Sequence, residues 1–119
     1  MIEINGEKIR IEDFLAWLES RPEEFLGSAN DPLDCLIGMF FQDKGFKDIF
    51  MGYTQITLNG VIVVNSGDLI ITADNDFCYV ARWLDDYAIK RDGLLNGYLV
   101  YSVKEAVRQV RSYIQLKNR

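Results

Sequence analysis

The sequence predicts an α+β fold: an antiparallel β-meander at about 54–73, an N-terminal β-hairpin, and about four helices (12–20, 32–44, 75–90 and 102–116) packed on the sheet. Three observations predict it. Asn59-Gly60 stands between the β-rich runs TQITL and VIVV, and both central residues of a type I′ turn need positive φ, which Asn-Gly supplies at little cost. Phe77, Val80, Ala81, Leu84, Tyr87 and Ala88 recur at i, i+3, i+4 and i+7, which is one face of a helix. Ser102-Val103-Lys104-Glu105 has the Ser-x-x-Glu spacing of a capping box and marks the start of a last helix.

Taken in order, Ile2 to Ile11 reads as a hairpin turning at Asn5-Gly6, with Ile2, Ile4, Ile9 and Ile11 on one face and Glu3 opposite Lys8. A first helix carries Phe14, Leu15 and Leu18 as its stripe, with Trp17 to the side. Pro22 to Leu26 suits a short helical turn, and 27–30 a loop. The second helix starts with Asp31 as N-cap and Pro32 first inside, buries Leu33, Leu36, Ile37, Phe40 and Phe41, and ends at Gly45. Gly38 within it implies close packing. Residues 46–53 lead irregularly into the meander.

In the meander the turn pairs Leu58 with Val61 and Ile56 with Val63, and Ser66-Gly67 turns the chain into a third strand at Leu69–Ile71. Val61 to Val64 is apolar without alternation, so both sides of that strand are expected to be covered, by helices or by a second copy. Asp74 closes the meander and opens the third helix. Residues 98–101 fit either a short fourth strand or the lead into the last helix. That helix has a seam of Val103, Val107, Val110 and Ile114, with Lys104, Arg108 and Arg111 as a basic stripe beside it.

The composition excludes much chemistry. A chain of 119 residues, 49% of them hydrophobic, reads as one domain with a real core. No apolar run is long enough to span a bilayer, and the first ten residues lack the apolar centre of a secretion signal. Two cysteines are no disulfide framework, so a cytoplasmic protein with reduced thiols is expected. With no histidine, Ser-His and Cys-His nucleophilic catalysis and imidazole metal sites are excluded. The net charge of −5 divides unevenly: residues 1–87 hold 6 Lys and Arg against 16 Asp and Glu (net −10), and residues 88–119 hold 7 against 2 (net +5). An acidic body with a basic end is a statement about partners.

Cys35 near a helix start is the residue with reactive character, because the helix dipole favours a thiolate there. The run Asp34-Cys35-Leu36-Ile37-Gly38 resembles the nucleophile region of NlpC-type cysteine peptidases, which have a serine where Leu36 stands. Their catalytic histidine has no counterpart in this chain, so the resemblance implies no peptidase. Asp74-Asn75-Asp76 reads as helix capping before cation binding, and Asp85-Asp86, Glu23-Glu24 and Glu12-Asp13 as solvated carboxylates.

The expected function is a small non-catalytic protein-interaction domain, of the general character of inhibitors, immunity proteins and mobile-element proteins. Lys104, Arg108, Arg111, Tyr79 and Trp83 are the candidate binding residues, and no catalytic set, metal or cofactor is expected. The partner is another protein or a second copy forming a homodimer, with no membrane and nucleic acid ranked lower. The alternatives are a thiol enzyme or sensor using an exposed Cys35 beside Lys44, Lys47 or Arg82, and nucleic-acid binding through the basic last helix.

Overall fold

The structure is a computed structural model and describes residues 1–28, 35–65, 76–91, 94–95 and 98–118. Its elements in chain order are β1 (Ile2–Ile4), β2 (Glu7–Ile9), α1 (Ile11–Glu19), β3 (Leu26–Ser28), α2 (Leu36–Asp43), β4 (Phe50–Met51), β5 (Gln55–Leu58) and β6 (Val61–Asn65). Then follow α3 (Asp76–Lys90), β7 (Leu94–Leu95), β8 (Tyr98–Ser102) and α4 (Val103–Lys117). The architecture is α+β, with antiparallel pairing throughout the described strands.

The β1–β2 hairpin turns at Asn5-Gly6, whose φ angles of 52° and 81° are the pair a type I′ turn requires, and Glu3 faces Lys8. Ile2, Ile9 and Ile11 are buried, but Ile11 is the first residue of α1 and not the end of the hairpin. Arg10 is the extended N-cap of α1, and its backbone N–H donates to Asp13 Oδ2 at 2.8 Å, so Glu12-Asp13 serves partly as a cap. Phe14 and Leu18 turn the helix inward onto Phe40, Phe41 and Phe77, whose rings lie 5.1 to 6.4 Å apart in offset contacts.

The expected helical turn at 22–26 ends early. Phe25 N–H closes a turn on the Pro22 carbonyl, and Leu26–Ser28 leaves it as strand β3, paired with β8 in the register Leu26↔Ser102, Gly27↔Tyr101 and Ser28↔Val100. Residues 98–102 are therefore strand, flanked by β3 and β7. The second helix begins at Leu36, not at 32, because Cys35 is extended (φ −73°, ψ 152°) and is itself the N-cap. Its Sγ accepts the Gly38 N–H at 3.3 Å. The Asp31 cap and Pro32 lie outside the described residues. Gly38 is buried, and Gly45, at φ +96°, releases the chain just beyond the Lys44 cap.

The sheet built on Asn59-Gly60 has the order β4-β5-β6. Leu58 faces Val61 as expected, but Ile56 faces Val64 and not Val63, because a bulge between Ile56 and Thr57 places one extra residue in β6. The bulge sends Val64 to the core, while Val61 and Ile62 stay 59% and 55% exposed. Helix cover, one of the two expected arrangements, is thus absent from the outer side of 61–64 among the described residues, and cover by a second copy is the other. On that side Ile62, Thr57 and Phe50 stand in register across the three strands, with Phe50 also exposed. The expected third strand at 69–71 and the Asp74 boundary lie outside the described residues.

α3 buries Phe77, Val80, Leu84 and Ala88, the face its periodicity marks. α4 begins as its capping box requires: Ser102 Oγ accepts the Glu105 N–H at 3.1 Å, and the Ser102 N–H donates to Glu105 Oε1 at 3.1 Å. Val103, Ala106, Val110 and Tyr113 are its buried residues, and it packs against both α1 and α3. Helix α4 therefore has a groove on each flank, one shared with α1 and one with α3.

Candidate functional site

The α1–α4 groove holds three of the five expected binding residues. Lys104, Arg108 and Arg111 line it with Leu18, Glu19, Arg21, Glu23, Val103 and Val107, around about 310 Å³ of open space. Its position follows from local structure. Val103 N–H donates to the Phe25 carbonyl at 2.8 Å and Lys104 N–H to the Glu23 carbonyl at 3.1 Å, so the 22–25 turn docks on the first turn of α4 and walls one end. At the other end Arg111 Nη2 meets Glu19 Oε2 at 2.6 Å, which pins one cation of the stripe. Arg21 is held over the Trp17 ring at 5.1 Å and lies 3.7 Å from Asp43. Lys104 and Arg108 are exposed and form no ion pair among the described residues. Beside them on α4 the half-buried Val107 continues the apolar floor from Val103.

Tyr79 and Trp83 lie on the opposite flank of α4. They line the α3–α4 groove with Tyr87, Arg82, Asp86, Lys90 and Gln109, around about 370 Å³. Both rings pack on buried Tyr113, at 5.5 and 5.8 Å, so each is partly a core residue. Trp83 Nε1 donates to Gln109 Oε1 at 2.7 Å, which fixes the indole against α4. The structure therefore brings Lys104, Arg108 and Arg111 together and Tyr79 and Trp83 together, but in two grooves separated by the ridge of α4.

Sequence reasoning missed the buried carboxylates. Asp85 is 6% exposed and not solvated surface: it accepts from Tyr53 OH at 2.5 Å. Asp76 is 3% exposed and joins the start of α3 to the end of α4, accepting from Tyr113 OH at 2.5 Å and from Lys117 Nζ at 3.0 Å. Glu105 adds to its capping role by accepting from Tyr87 OH at 2.8 Å and pairing with Arg91 at 2.6 Å. No sequence spacing links these partners, because each pair joins distant elements. Burial opposes the charge of Glu105, but the Ser102, Tyr87 and Arg91 contacts outweigh it and hold the carboxyl below its ordinary range.

The phenols respond in the opposite direction. Burial, then the bond to Asp85, raises Tyr53; burial, then the bond to Asp76, raises Tyr113; burial raises Tyr101; and the Glu105 bond raises Tyr87. A folded-state pKa above the unfolded value means stability that is complete below that value, near 10 for tyrosine, and is lost as pH rises through the folded one. Cys78 acts the same way from pH 9, burial pushing its thiol up to about 11. The expected outcome is alkaline loss of stability, with Tyr53, Tyr101 and Tyr113 failing to ionise in the folded protein. Ultraviolet titration at about pH 11, with and without denaturant, checks it. All six titrating together without unfolding would contradict the placement.

Cys35 is buried at 8% exposure, whereas the thiol reading needs it exposed. Of the cations expected beside it, Lys44 sits over the Phe40 ring and near Glu7, and Arg82 lies near Asp86. Among the described residues no three metal-ligating side chains cluster, and no helix is long and apolar enough to cross a membrane. No family model, curated protein or solved structure matches the chain.

Proposed function

We propose that the chain is a non-catalytic protein-interaction domain that grips an acidic segment of another polypeptide in the α1–α4 groove. One observation carries this reading: Lys104 and Arg108 stand exposed and without an ion pair among the described residues, beside the apolar Val107 in the same groove. Cations around an apolar floor suit carboxylates flanking an aliphatic side chain, and the charge attracts such a segment from a distance. DNA would meet the same cations, but Glu19 and Glu23 in the groove wall and the net −10 of residues 1–87 oppose a polyanion that has no apolar side chain to offer. The acidic body of a second copy is one such partner, which keeps a homodimer within the proposal. The buried, unbridged thiols accord with work in the reducing cytoplasm.

The test is fluorescence anisotropy of a labelled peptide of alternating glutamate and leucine, with a DNA oligomer of equal charge for comparison. Wild type is expected to bind the peptide with an affinity that falls with salt, and Lys104→Glu with Arg108→Glu is expected to weaken it at least about tenfold, since each reversal replaces attraction by repulsion. Equal affinity in the double variant, or preference for the DNA, would overturn the reading.

A further inference from the structure

We infer that the α3–α4 groove is the anchor pocket of the same binding face: it takes an apolar or aromatic side chain of the partner segment whose acids lie on Lys104 and Arg108. This rests on the reading of the α1–α4 groove. The pocket has an aromatic wall of Tyr79, Trp83 and Tyr87, which recur at i, i+4 and i+8 along α3. About 370 Å³ is the scale of a site for one such group. Half-buried tyrosine and tryptophan surfaces of this kind anchor partners, because they bury much area with few rotors to order. The wall is rigid: Trp83 is fixed by Gln109 and Tyr87 by Glu105, and Tyr79 and Trp83 back onto Tyr113.

Charge selects the kind of segment. Asp86 in the pocket faces Arg82 at 3.8 Å, so it is answered within the helix. Lys90 also lines the pocket, has no ion pair among the described residues and adds a cation to it. Arg108 lines the α1–α4 groove and Gln109, the next residue of α4, lines the α3–α4 groove, so the two grooves flank the same turn of the helix. A helix with its side chains is about 10 Å across, and extended chain covers about 3.3 Å per residue. The partner segment therefore carries its anchor about three residues from its acids and crosses α4 in extended form.

The probe is a short labelled peptide with one phenylalanine about three residues from a run of glutamates in a glycine-serine background, against the same peptide with glycine for phenylalanine. Anisotropy gives both affinities. The indole N–H resonances of the two tryptophans report location, with Trp17→Phe used to assign them. The expected result is about tenfold or more tighter binding of the phenylalanine peptide, from burial of one aromatic side chain, together with a shift of the Trp83 indole and none of the Trp17 indole. Equal affinity of the two peptides with a still Trp83 signal overturns the anchor pocket while leaving the basic groove standing. No binding of either peptide overturns both.

Discussion

Asp76→Ala is expected to destabilise the fold by about 3 kcal/mol, the lower end of the range for removing one partner of a buried ion pair. Asp76 is almost wholly buried at the first residue of α3, where it accepts from Tyr113 OH and from Lys117 Nζ. Removing the carboxylate leaves a buried phenol hydroxyl without its acceptor and withdraws the tie between α3 and the last turn of α4. Lys117 keeps solvent access and Glu12 as a neighbour, at 3.5 Å, which limits the loss. For a chain of this length the change is a fall in Tm of roughly 10–15 °C. Tyr113→Phe, which removes only the donor, is expected to cost about 1 kcal/mol. Thermal unfolding of both variants checks the order, and an Asp76→Ala protein that melts with wild type would contradict the burial of the carboxylate.

Gly27→Ala has the second large effect, and sterics alone cause it. A Cβ at Gly27 would stand 2.6 Å from Leu36 Cγ and 3.1 Å from the Leu36 backbone nitrogen. Leu36 cannot easily retreat. It is the first residue of α2, wholly buried, and its N–H donates to Tyr101 OH at 3.4 Å. The added methyl must push β3 off β8 or α2 off β3, at a cost of about 2–3 kcal/mol. Gly60→Ala separates this mechanism from conformational strain. Its Cβ would meet open space, and its cost of about 1 kcal/mol comes from the +74° φ of the turn alone. Denaturant unfolding is expected to rank Gly27→Ala as the more damaging. The reverse order would contradict the packing of β3 against α2.

The contrast between these glycines shows what the sequence made legible. Asn5-Gly6, Asn59-Gly60 and the Ser102–Glu105 box act within four residues, so their signals were local, and each is found in place. The face of α3 was legible because helical periodicity repeats along one element. Strand β3 was not. Three residues carry no period, and Gly27 is small because of Leu36 and lies opposite Tyr101, both distant in the chain. The register slip at Ile56/Thr57 likewise depends on which face of β6 the core claims. Cys35 read as a residue of the first turn of a helix starting at 32, because the apolar spacing of α2 continues to Leu33, while its backbone is extended and its thiol is the cap.

The candidate site divided along the same line. The basic stripe of α4 was readable as a stripe, since Lys104, Arg108 and Arg111 share a helix. Which cation stays uncommitted was not, because Glu19, the partner of Arg111, comes from α1. Tyr79 and Trp83 were readable as an i, i+4 pair, but their separation from the stripe by the ridge of α4 is a tertiary fact.

The most direct measurement of the central proposal is a backbone amide chemical-shift map on adding the glutamate–leucine peptide at low salt. The expected shifts fall on residues 103–111 of α4, on 18–23 at the end of α1, and on no part of the outer row of Phe50, Thr57 and Ile62. Shifts confined to that row, or none at all, would contradict a binding site in the α1–α4 groove.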